Sequence, residues 1–314
     1  DSFFYVNELD DVEILNLSIE NKIDIAIYRA GLTVNARSSI FSHRVAPIQI
    51  NFLGYPGTTG QDGVDYIISD EFVIPKDQRQ YYSENIIFLT DCYYPRDNNR
   101  KISLNKFKRD EYNIPKNSFV FCSFNNSYKI TIEEFDIWMN LLEKVRNSSL
   151  LLLASDKEIK INLLNYAKKY NISSSRLIFL EKTNFEDHLS RHSLADLFLD
   201  SFNYNAHTSA VDALWTGLPI LTKVGNSFSS RICGSLLKYF KLNQLIVKNK
   251  EEYFKTAVEL ATNPEKYKKI KNSILKAKES GKYFDTKRYT QNLEKAYKTI
   301  HLKRINENKF SNIF

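Results

Sequence analysis

One loop of the sequence carries a lysine directly before a predicted helix. It is the run NNSYK at 125–129, which follows a predicted strand at 119–124 and precedes a helix predicted to begin at Thr131. A lone Lys is unfavourable at the N-terminal end of a helix, because the helix dipole already places partial positive charge there. An anion bound between Lys129 and the helix end would remove that conflict. The loop therefore indicates either an anion site or a solvated surface lysine, and position alone favours neither.

A second loop ends in hydroxyl groups at a predicted helix start. In the run SFNYNAHTSAVD (201–212), His207, Thr208 and Ser209 open the helix. Hydroxyls together with free backbone N–H groups are suited to binding phosphate. Asp212 lies one turn further along and could accept hydrogen bonds from ribose hydroxyls. Two structural alternatives remain, since Ser209 and Asp212 also have the spacing of a helix cap and His207 could pack within the loop. We favour a binding site.

A third run, FEDHLSR (185–191), places His188 and Arg191 three residues apart on one face of a predicted short helix. An Arg side chain can clamp a phosphate with two N–H groups. A salt-bridged surface helix fits the same pattern equally well.

A fourth loop, GYPGTTG (54–60), is rich in glycine and follows an earlier predicted strand. Pro56 and the lack of a G-K-[ST] ending exclude a Walker phosphate loop, and the sequence has no G-x-G-x-x-G run for a dinucleotide. We expect this loop to contact a ligand or a partner domain.

Short apolar strands alternate with helices around these loops, which predicts an α/β fold with parallel, doubly wound sheets. Ligands of such sheets bind beyond the carboxyl ends of the strands, where these loops lie. We predict a partial N-terminal domain at 1–95, a charged linker at 96–118, a second domain at 119–285, and a C-terminal helix and tail at 286–314. The strands are predicted at 3–6, 24–28, 49–53, 66–68, 86–89, 119–124, 150–154, 177–180, 197–199, 220–223 and 245–247.

The composition is that of an ordinary globular protein with a basic balance. Of 314 residues, 43% are hydrophobic and 26% charged, and the formal net charge is +7. The lysines are spread along helices, with no arginine-rich arm, so we expect neither nucleic acid nor a membrane as partner. The 3 cysteines are widely spaced, which indicates free thiols in a reducing compartment, and we expect a cytoplasmic location. We find no clustered metal ligands and expect no metal.

Several runs, in chain order, resemble the catalytic region of the O-GlcNAc transferases, particularly those of bacterial type. Together they span nearly the whole chain. They are HRVAPIQINFLGYPGTTG (43–60), VDYIISD (64–70), YYSE (81–84), CSFNNSYKI (122–130), ADLFLDSFNYNAHTSAVDALWTGLPILT (195–222) and SSRICGSLL (229–237).

The resemblance implies a GT-B fold, in which two Rossmann-like domains hold a nucleotide sugar between them. It implies inverting, metal-independent transfer of GlcNAc from UDP-GlcNAc to Ser or Thr hydroxyls of a protein or peptide acceptor, with no cofactor. Lys129 would contact the diphosphate and stabilise the departing UDP. The other roles that it implies are Asn126 near the sugar, His207, Thr208 and Ser209 at the phosphates, Asp212 at the ribose, His188 and Arg191 at the uridine, and Pro56, Gly57 and Thr58 on the acceptor side.

The sequence departs from this family in two respects. Gly31-Leu32-Thr33 stands where bacterial relatives often have G-H-T, so no histidine precedes His43 and we identify no general base. No tetratricopeptide repeats are present and the N-terminal domain is short, so we expect a piece of a longer protein.

Two alternatives to the UDP-GlcNAc transferase remain. One is a relative that uses another nucleotide sugar, such as GDP-fucose or UDP-glucose. Relatives that use GDP-fucose typically have Gly and Glu where this chain has His207 and Asp212, which favours UDP. The other alternative is a non-catalytic remnant that binds nucleotide.

Overall fold

A computed structural model describes residues 2–307 and 309–314 of the chain. The chain divides into two compact units. The first comprises Asp1–Pro95 with Thr286–Phe314, and the second comprises Arg96–Asp285.

The first unit contains a four-stranded parallel sheet in the order β1-β2-β3-β4. Its central strands β2 and β3 are buried at every residue, as expected for parallel strands that are covered on both faces. Two helices come before β2 in the chain. The bounds are α1 (Asp11–Glu20), β1 (Ile25–Tyr28), α2 (Ser39–Ser42), β2 (Ile48–Asn51), β3 (Tyr66–Ser69) and β4 (Asn85–Phe88).

The second unit contains a six-stranded parallel sheet in the order β10-β9-β8-β5-β6-β7. In chain order this is the 3-2-1-4-5-6 arrangement of a Rossmann fold. Its strands are β5 (Phe119–Ser123), β6 (Ser148–Leu153), β7 (Leu177–Leu180), β8 (Leu197–Leu199), β9 (Ile220–Lys223) and β10 (Ile246–Val247). Its helices are α3 (Ile132–Lys144), α4 (Lys157–Ala167), α5 (Phe185–Ser190), α6 (Thr208–Thr216), α7 (Ile232–Tyr239), α8 (Lys250–Thr262) and α9 (Pro264–Glu279).

The start of α3 ties this helix to the loop after β8. Thr131 and Glu134 form a capping box, in which Glu134, three residues into the helix, accepts hydrogen bonds from Thr131. The second carboxylate oxygen of Glu134 accepts the backbone N–H of Phe202 at 2.6 Å. A fully buried carboxylate is thereby satisfied on both oxygens, as burial of charge requires.

The structure corrects the prediction of a strand at 3–6. These residues have no regular secondary structure, and the side chains of Phe3 and Tyr5 are 81% and 85% exposed. A strand needs a hydrogen-bonded neighbour, and among the described residues the β1 edge of the sheet pairs only with β2. The aromatic run has strand propensity but no partner strand.

Two segments of the chain belong to different units from the domains that the sequence predicted. Residues 96–118 belong to the second unit rather than forming a linker, because Arg109 pairs with Asp196 at 2.8 Å and holds the segment against β8. The last helix, α10 (Thr286–Glu307), belongs to the first unit. There Tyr289 donates its hydroxyl to Tyr93 O at 2.7 Å, and Ile313 adds a parallel bridge to β4.

Candidate functional site

The second sheet reverses its strand order between β5 and β8. Such a reversal opens a crevice beyond the carboxyl ends of the two strands, and ligands of open α/β sheets bind there. The loops that follow these strands are the first two that the sequence singled out. Asn125 joins them, since its Nδ2 lies 3.2 Å from Asp200 Oδ1 and 3.0 Å from Ser201 Oγ. The structure therefore brings these two loops together.

Asp200 organises the loop after β8. Its buried carboxylate accepts the backbone N–H groups of Ser201 at 2.9 Å and Ala206 at 2.6 Å, and the Thr222 hydroxyl at 2.6 Å. Burial raises the pKa of Asp200 to about 6, against the hydrogen bond from Thr222. These contacts fix the conformation of the loop that ends at His207, before α6. Sequence reasoning missed Asp200, whose signal is its position at the end of a buried strand.

Lys129 reaches across the crevice. It ends a single 3-10 turn, Ser127–Lys129, between β5 and α3. Its Nζ donates to Asn205 O at 3.3 Å and lies 4.0 Å from the centroid of the Tyr204 ring. Burial lowers the pKa of Lys129 from 10.5 to about 8, an effect that Asp200 opposes. An incoming anion would stabilise this half-buried ammonium group.

The start of α6 lies beside Lys129. His207 occupies the N-cap position, stacks on Tyr204 with centroids 4.6 Å apart, and places Nε2 3.2 Å from Ser229 O. Burial lowers the pKa of His207 to about 3, so the ring is neutral at pH 7. Thr208 is exposed at the first turn, followed by half-buried Ser209.

Asp212 is buried one turn into α6 and forms an ion pair with Arg100 through Oδ1. Burial raises the pKa of Asp212 to about 6, although Arg100 acts to lower it. The alternative in which Ser209 and Asp212 cap the helix does not hold, because His207 is the N-cap and Asp212 pairs with Arg100. The contact of Asp212 with ribose stays a prediction.

His188 and Arg191 lie at the C-terminal end of α5 and bind each other. Arg191 Nε lies 3.2 Å from His188 Nδ1, and Arg191 donates to Glu181 O at 2.6 Å. Burial lowers the pKa of His188 to about 4, with a smaller contribution from Arg191. Arg191 is buried, so the pair is not the salt-bridged surface helix that the sequence left open. The neutral imidazole of His188 packs against the rings of Phe124 and His192.

Asn126 is exposed, as is Thr208, whereas the other predicted residues of this unit are buried or half-buried. Its Nδ2 lies 3.3 Å from the hydroxyl of Tyr128, which is also exposed. The residue borders the crevice through the loop it shares with Lys129. Its predicted role near the sugar stays a prediction.

The predicted acceptor loop lies in the first unit, after β2. Asn51 donates to Gly57 O at 2.7 Å. Thr58 donates its hydroxyl to Glu84 at 2.5 Å, and Thr59 donates its backbone N–H at 2.7 Å and its hydroxyl at 2.8 Å to the same carboxylate. The buried Glu84 therefore fixes the loop that contains Pro56. It lies in the YYSE run that the sequence analysis quoted, although no role was assigned to it.

Comparison with known proteins identifies the family. The sequence model of glycosyl transferase family 41 matches residues 13–108 and 96–293. The chain belongs to glycosyl transferase family 41. The probable UDP-N-acetylglucosamine–peptide N-acetylglucosaminyltransferase SEC of Arabidopsis thaliana is 34% identical over 301 residues, and the probable enzyme SPINDLY of Petunia hybrida is 29% identical over 301 residues. These alignments cover 94% and 93% of the chain but 31% of each relative, so the chain spans about a third of their length.

Solved structures confirm the expected GT-B fold class. A mutant of the Thermobaculum terrenum O-GlcNAc transferase matches with a TM-score of 0.85 and 26% identity, over 94% of this chain and 56% of that chain. Anabaena HepE, solved with UDP and glucose, matches with a TM-score of 0.61 and 12% identity, over 95% and 84% of the two chains, and shows the fold alone. The resemblance to O-GlcNAc transferases, drawn from short runs of sequence, is therefore confirmed across both α/β units.

No group of three or more His, Cys, Asp or Glu within 2–307 and 309–314 could hold a metal ion. Over the same residues, none of the helices has the length and apolar character needed to cross a membrane.

Proposed function

We propose that the chain is the catalytic region of a glycosyltransferase that moves GlcNAc from UDP-GlcNAc to Ser or Thr hydroxyls of proteins. The observation that carries the proposal is the position of Lys129, whose ammonium group contacts Asn205 and Tyr204 in the loop that leads from β8 into α6. A diphosphate there would receive hydrogen bonds from Lys129 and from the first turn of the helix. The family relatives named above support GlcNAc as the sugar.

In the proposed reaction the acceptor hydroxyl attacks the anomeric carbon of the sugar from the face opposite the diphosphate. The bond between that carbon and the phosphate oxygen breaks, and UDP departs with the electron pair. Lys129 and the helix start oppose the negative charge that develops on the leaving oxygen, so the proposal requires no metal. Preorganised groups of this kind contribute about 3–4 kcal/mol each when their removal is measured. The hydroxyl proton passes to a base that we do not assign.

The remaining side chains of the site would contact successive parts of the nucleotide. Thr208 and Ser209 would bind the phosphates, Asp212 the ribose, and His188 the uracil ring. The low pKa values of His188 and His207 make both rings neutral at pH 7, which suits stacking and hydrogen bonding rather than charge pairing. Asn126 would lie near the sugar, and a role of the loop that contains Thr58 in acceptor binding stays a prediction.

Three measurements test the proposal. Thermal unfolding with UDP and with GDP reports nucleotide binding, and we expect UDP alone to raise the midpoint. Transfer of labelled GlcNAc from UDP-GlcNAc to a Ser/Thr peptide library, with and without EDTA, reports activity and metal dependence. Nuclear magnetic resonance of the first product reports the anomeric configuration, which should be inverted.

The controls separate the alternatives. Stabilisation by UDP with no labelled peptide would identify a nucleotide-binding module and not an enzyme. Transfer from GDP-fucose in place of UDP-GlcNAc would assign the chain to the other donor. Unchanged turnover after Lys129→Met, with Lys116→Met as an exposed control, would remove Lys129 from the mechanism.

A further inference from the structure

The segment 96–107, named here the strap, crosses the two helices that carry the proposed nucleoside contacts. Ser103 N–H donates to Glu186 O at 3.2 Å, and Asn105 Nδ2 donates to Asp187 Oδ1 at 3.0 Å, with both acceptors on α5. Ser190, at the end of α5, donates its hydroxyl to Asn105 O at 2.5 Å. The strap is therefore fixed to α5 at both ends of that helix.

Arg100 connects the strap to α6. Its backbone oxygen accepts the indole N–H of Trp215 at 3.1 Å, and its side chain pairs with Asp212 one turn earlier on the same helix. Its guanidinium carbon also lies 5.7 Å from the centroid of the Phe185 ring, the first residue of α5. One side chain thus touches both helices of the proposed nucleoside site.

The pair is too buried to open easily. The side chains of Arg100 and Asp212 are 10% and 6% exposed. Separating a buried ion pair leaves an uncompensated charge and is strongly destabilising. A bound nucleotide is therefore expected to meet Asp212 with Arg100 still attached. Of the two carboxylate oxygens of Asp212, Arg100 binds Oδ1. Among the described residues this leaves Oδ2 of Asp212 for a ligand hydroxyl.

Stability of the fold does not by itself explain this arrangement. Arg100 Nε is buried without a hydrogen-bond partner. An unpaired buried donor opposes folding, and an apolar side chain at this position would avoid that cost. The charge of Arg100 has a clear effect on Asp212, whose carboxyl group burial would otherwise push toward the neutral form.

We propose that Arg100 is a positioning residue for donor recognition, which holds Asp212 as an oriented carboxylate so that Oδ2 accepts the ribose hydroxyls of the nucleotide. The proposal rests on the proposed UDP site and adds to it a specificity determinant outside the two predicted loops. Its consequence is that Arg100 contributes to discrimination between ribose and sugars that lack the hydroxyls, without touching the nucleotide.

The test compares the dissociation constants of UDP and of 2′,3′-dideoxyuridine diphosphate by titration calorimetry. For the unmodified chain we expect UDP to bind about 10- to 100-fold more tightly than the dideoxy nucleotide, because its ribose hydroxyls donate hydrogen bonds to a charged acceptor. Arg100→Gln should reduce this preference to about threefold or less, mainly by weakening UDP, because the remaining acceptor is uncharged or misplaced. Arg100→Lys, which keeps the charge, should retain an intermediate preference.

Arg109→Gln is the matched control. Arg109 also forms an ion pair, with Asp196 at 2.8 Å, but Asp196 precedes β8 and so lies at the amino end of the sheet. This variant should unfold at lower temperature and keep the full preference for UDP. The ratio of two affinities separates a local role from general destabilisation, and Arg100→Lys serves if Arg100→Gln does not fold.

The outcomes distinguish the two proposals. If the unmodified chain does not bind UDP, the proposed function and this inference both fail. If it binds UDP with a preference that Arg100→Gln leaves unchanged, only the inference fails. Tighter binding of UDP to Arg100→Gln would show that Arg100 blocks the ribose position, which also overturns the inference.

Discussion

The charge of Lys129 should set the pH dependence of UDP binding. Burial lowers the pKa of Lys129 from 10.5 to about 8. A diphosphate beside Nζ would favour the ammonium form and raise that pKa in the complex. UDP affinity should therefore be at its full value below about pH 8 and fall by up to about tenfold per pH unit above it, until the pKa of the complex is reached.

The same burial limits the structural cost of removing the charge. A fall of the pKa from 10.5 to about 8 corresponds to about 3 kcal/mol by which the charged form is disfavoured. Solvent screening of a half-buried side chain reduces this to about 1–2 kcal/mol. Lys129→Met should thus fold with unchanged or slightly higher stability while it loses UDP affinity at neutral pH.

Calorimetric titration of UDP between about pH 7 and about pH 9 measures the effect, above the range in which the terminal phosphate titrates. Lys129→Met should bind weakly with little pH dependence over this interval. The control is Lys116→Met, which removes an exposed lysine before β5 and should behave as the unmodified chain. Parallel loss of affinity with pH in both Lys129→Met and the unmodified chain would refute the reasoning, since the titrating group would then lie elsewhere.

Two further predictions concern the loop after β2. Glu84→Gln replaces the buried carboxylate that accepts the loop hydroxyls and should lower the free energy of unfolding in urea by about 2 kcal/mol. The control is the exposed Glu71→Gln, which should change that free energy by less than about 0.5 kcal/mol. Equal changes for the two variants would contradict the role assigned to Glu84. Gly54→Ala would overlap the backbone oxygen of Arg29 at a φ of +121° and should prevent folding or shift the loop, whereas Gly60→Ala, with φ +65° and open space around it, should cost about 1 kcal/mol. Circular dichroism and urea unfolding measure both, and a fully stable Gly54→Ala would be the contrary result.

Local sequence signals predicted most of the fold. The helix start at Thr131 and the strands of the second sheet followed from local patterns, the strands from apolar runs between helices. These signals work because the residues that decide them are near neighbours in the chain. The prediction of a strand at 3–6 is wrong because a strand depends on a partner strand, which no local pattern in the sequence reports.

The site was predictable as far as its chemistry is local. Hydroxyls at a helix start and a lysine at the end of a strand loop are visible in the sequence. The pairing of Arg100 with Asp212 joins residues 112 positions apart, and that of Arg109 with Asp196 joins residues 87 positions apart. The composition of a charged segment with prolines is the same whether its charges are solvated or are paired with residues distant in the chain. Composition alone therefore predicts a linker at 96–118.

The proposed donor site contains little permanent charge that a ligand could meet. His207 and His188 have pKa values of about 3 and about 4, and the charge of Asp212 is balanced by Arg100. The ammonium group of Lys129 lies near His207 at the start of α6, and its own pKa is lowered by burial. A diphosphate beside Lys129 would itself hold that side chain protonated. A site of this kind favours the state with the most negative charge beside Nζ, which during transfer is the departing UDP rather than the intact sugar nucleotide.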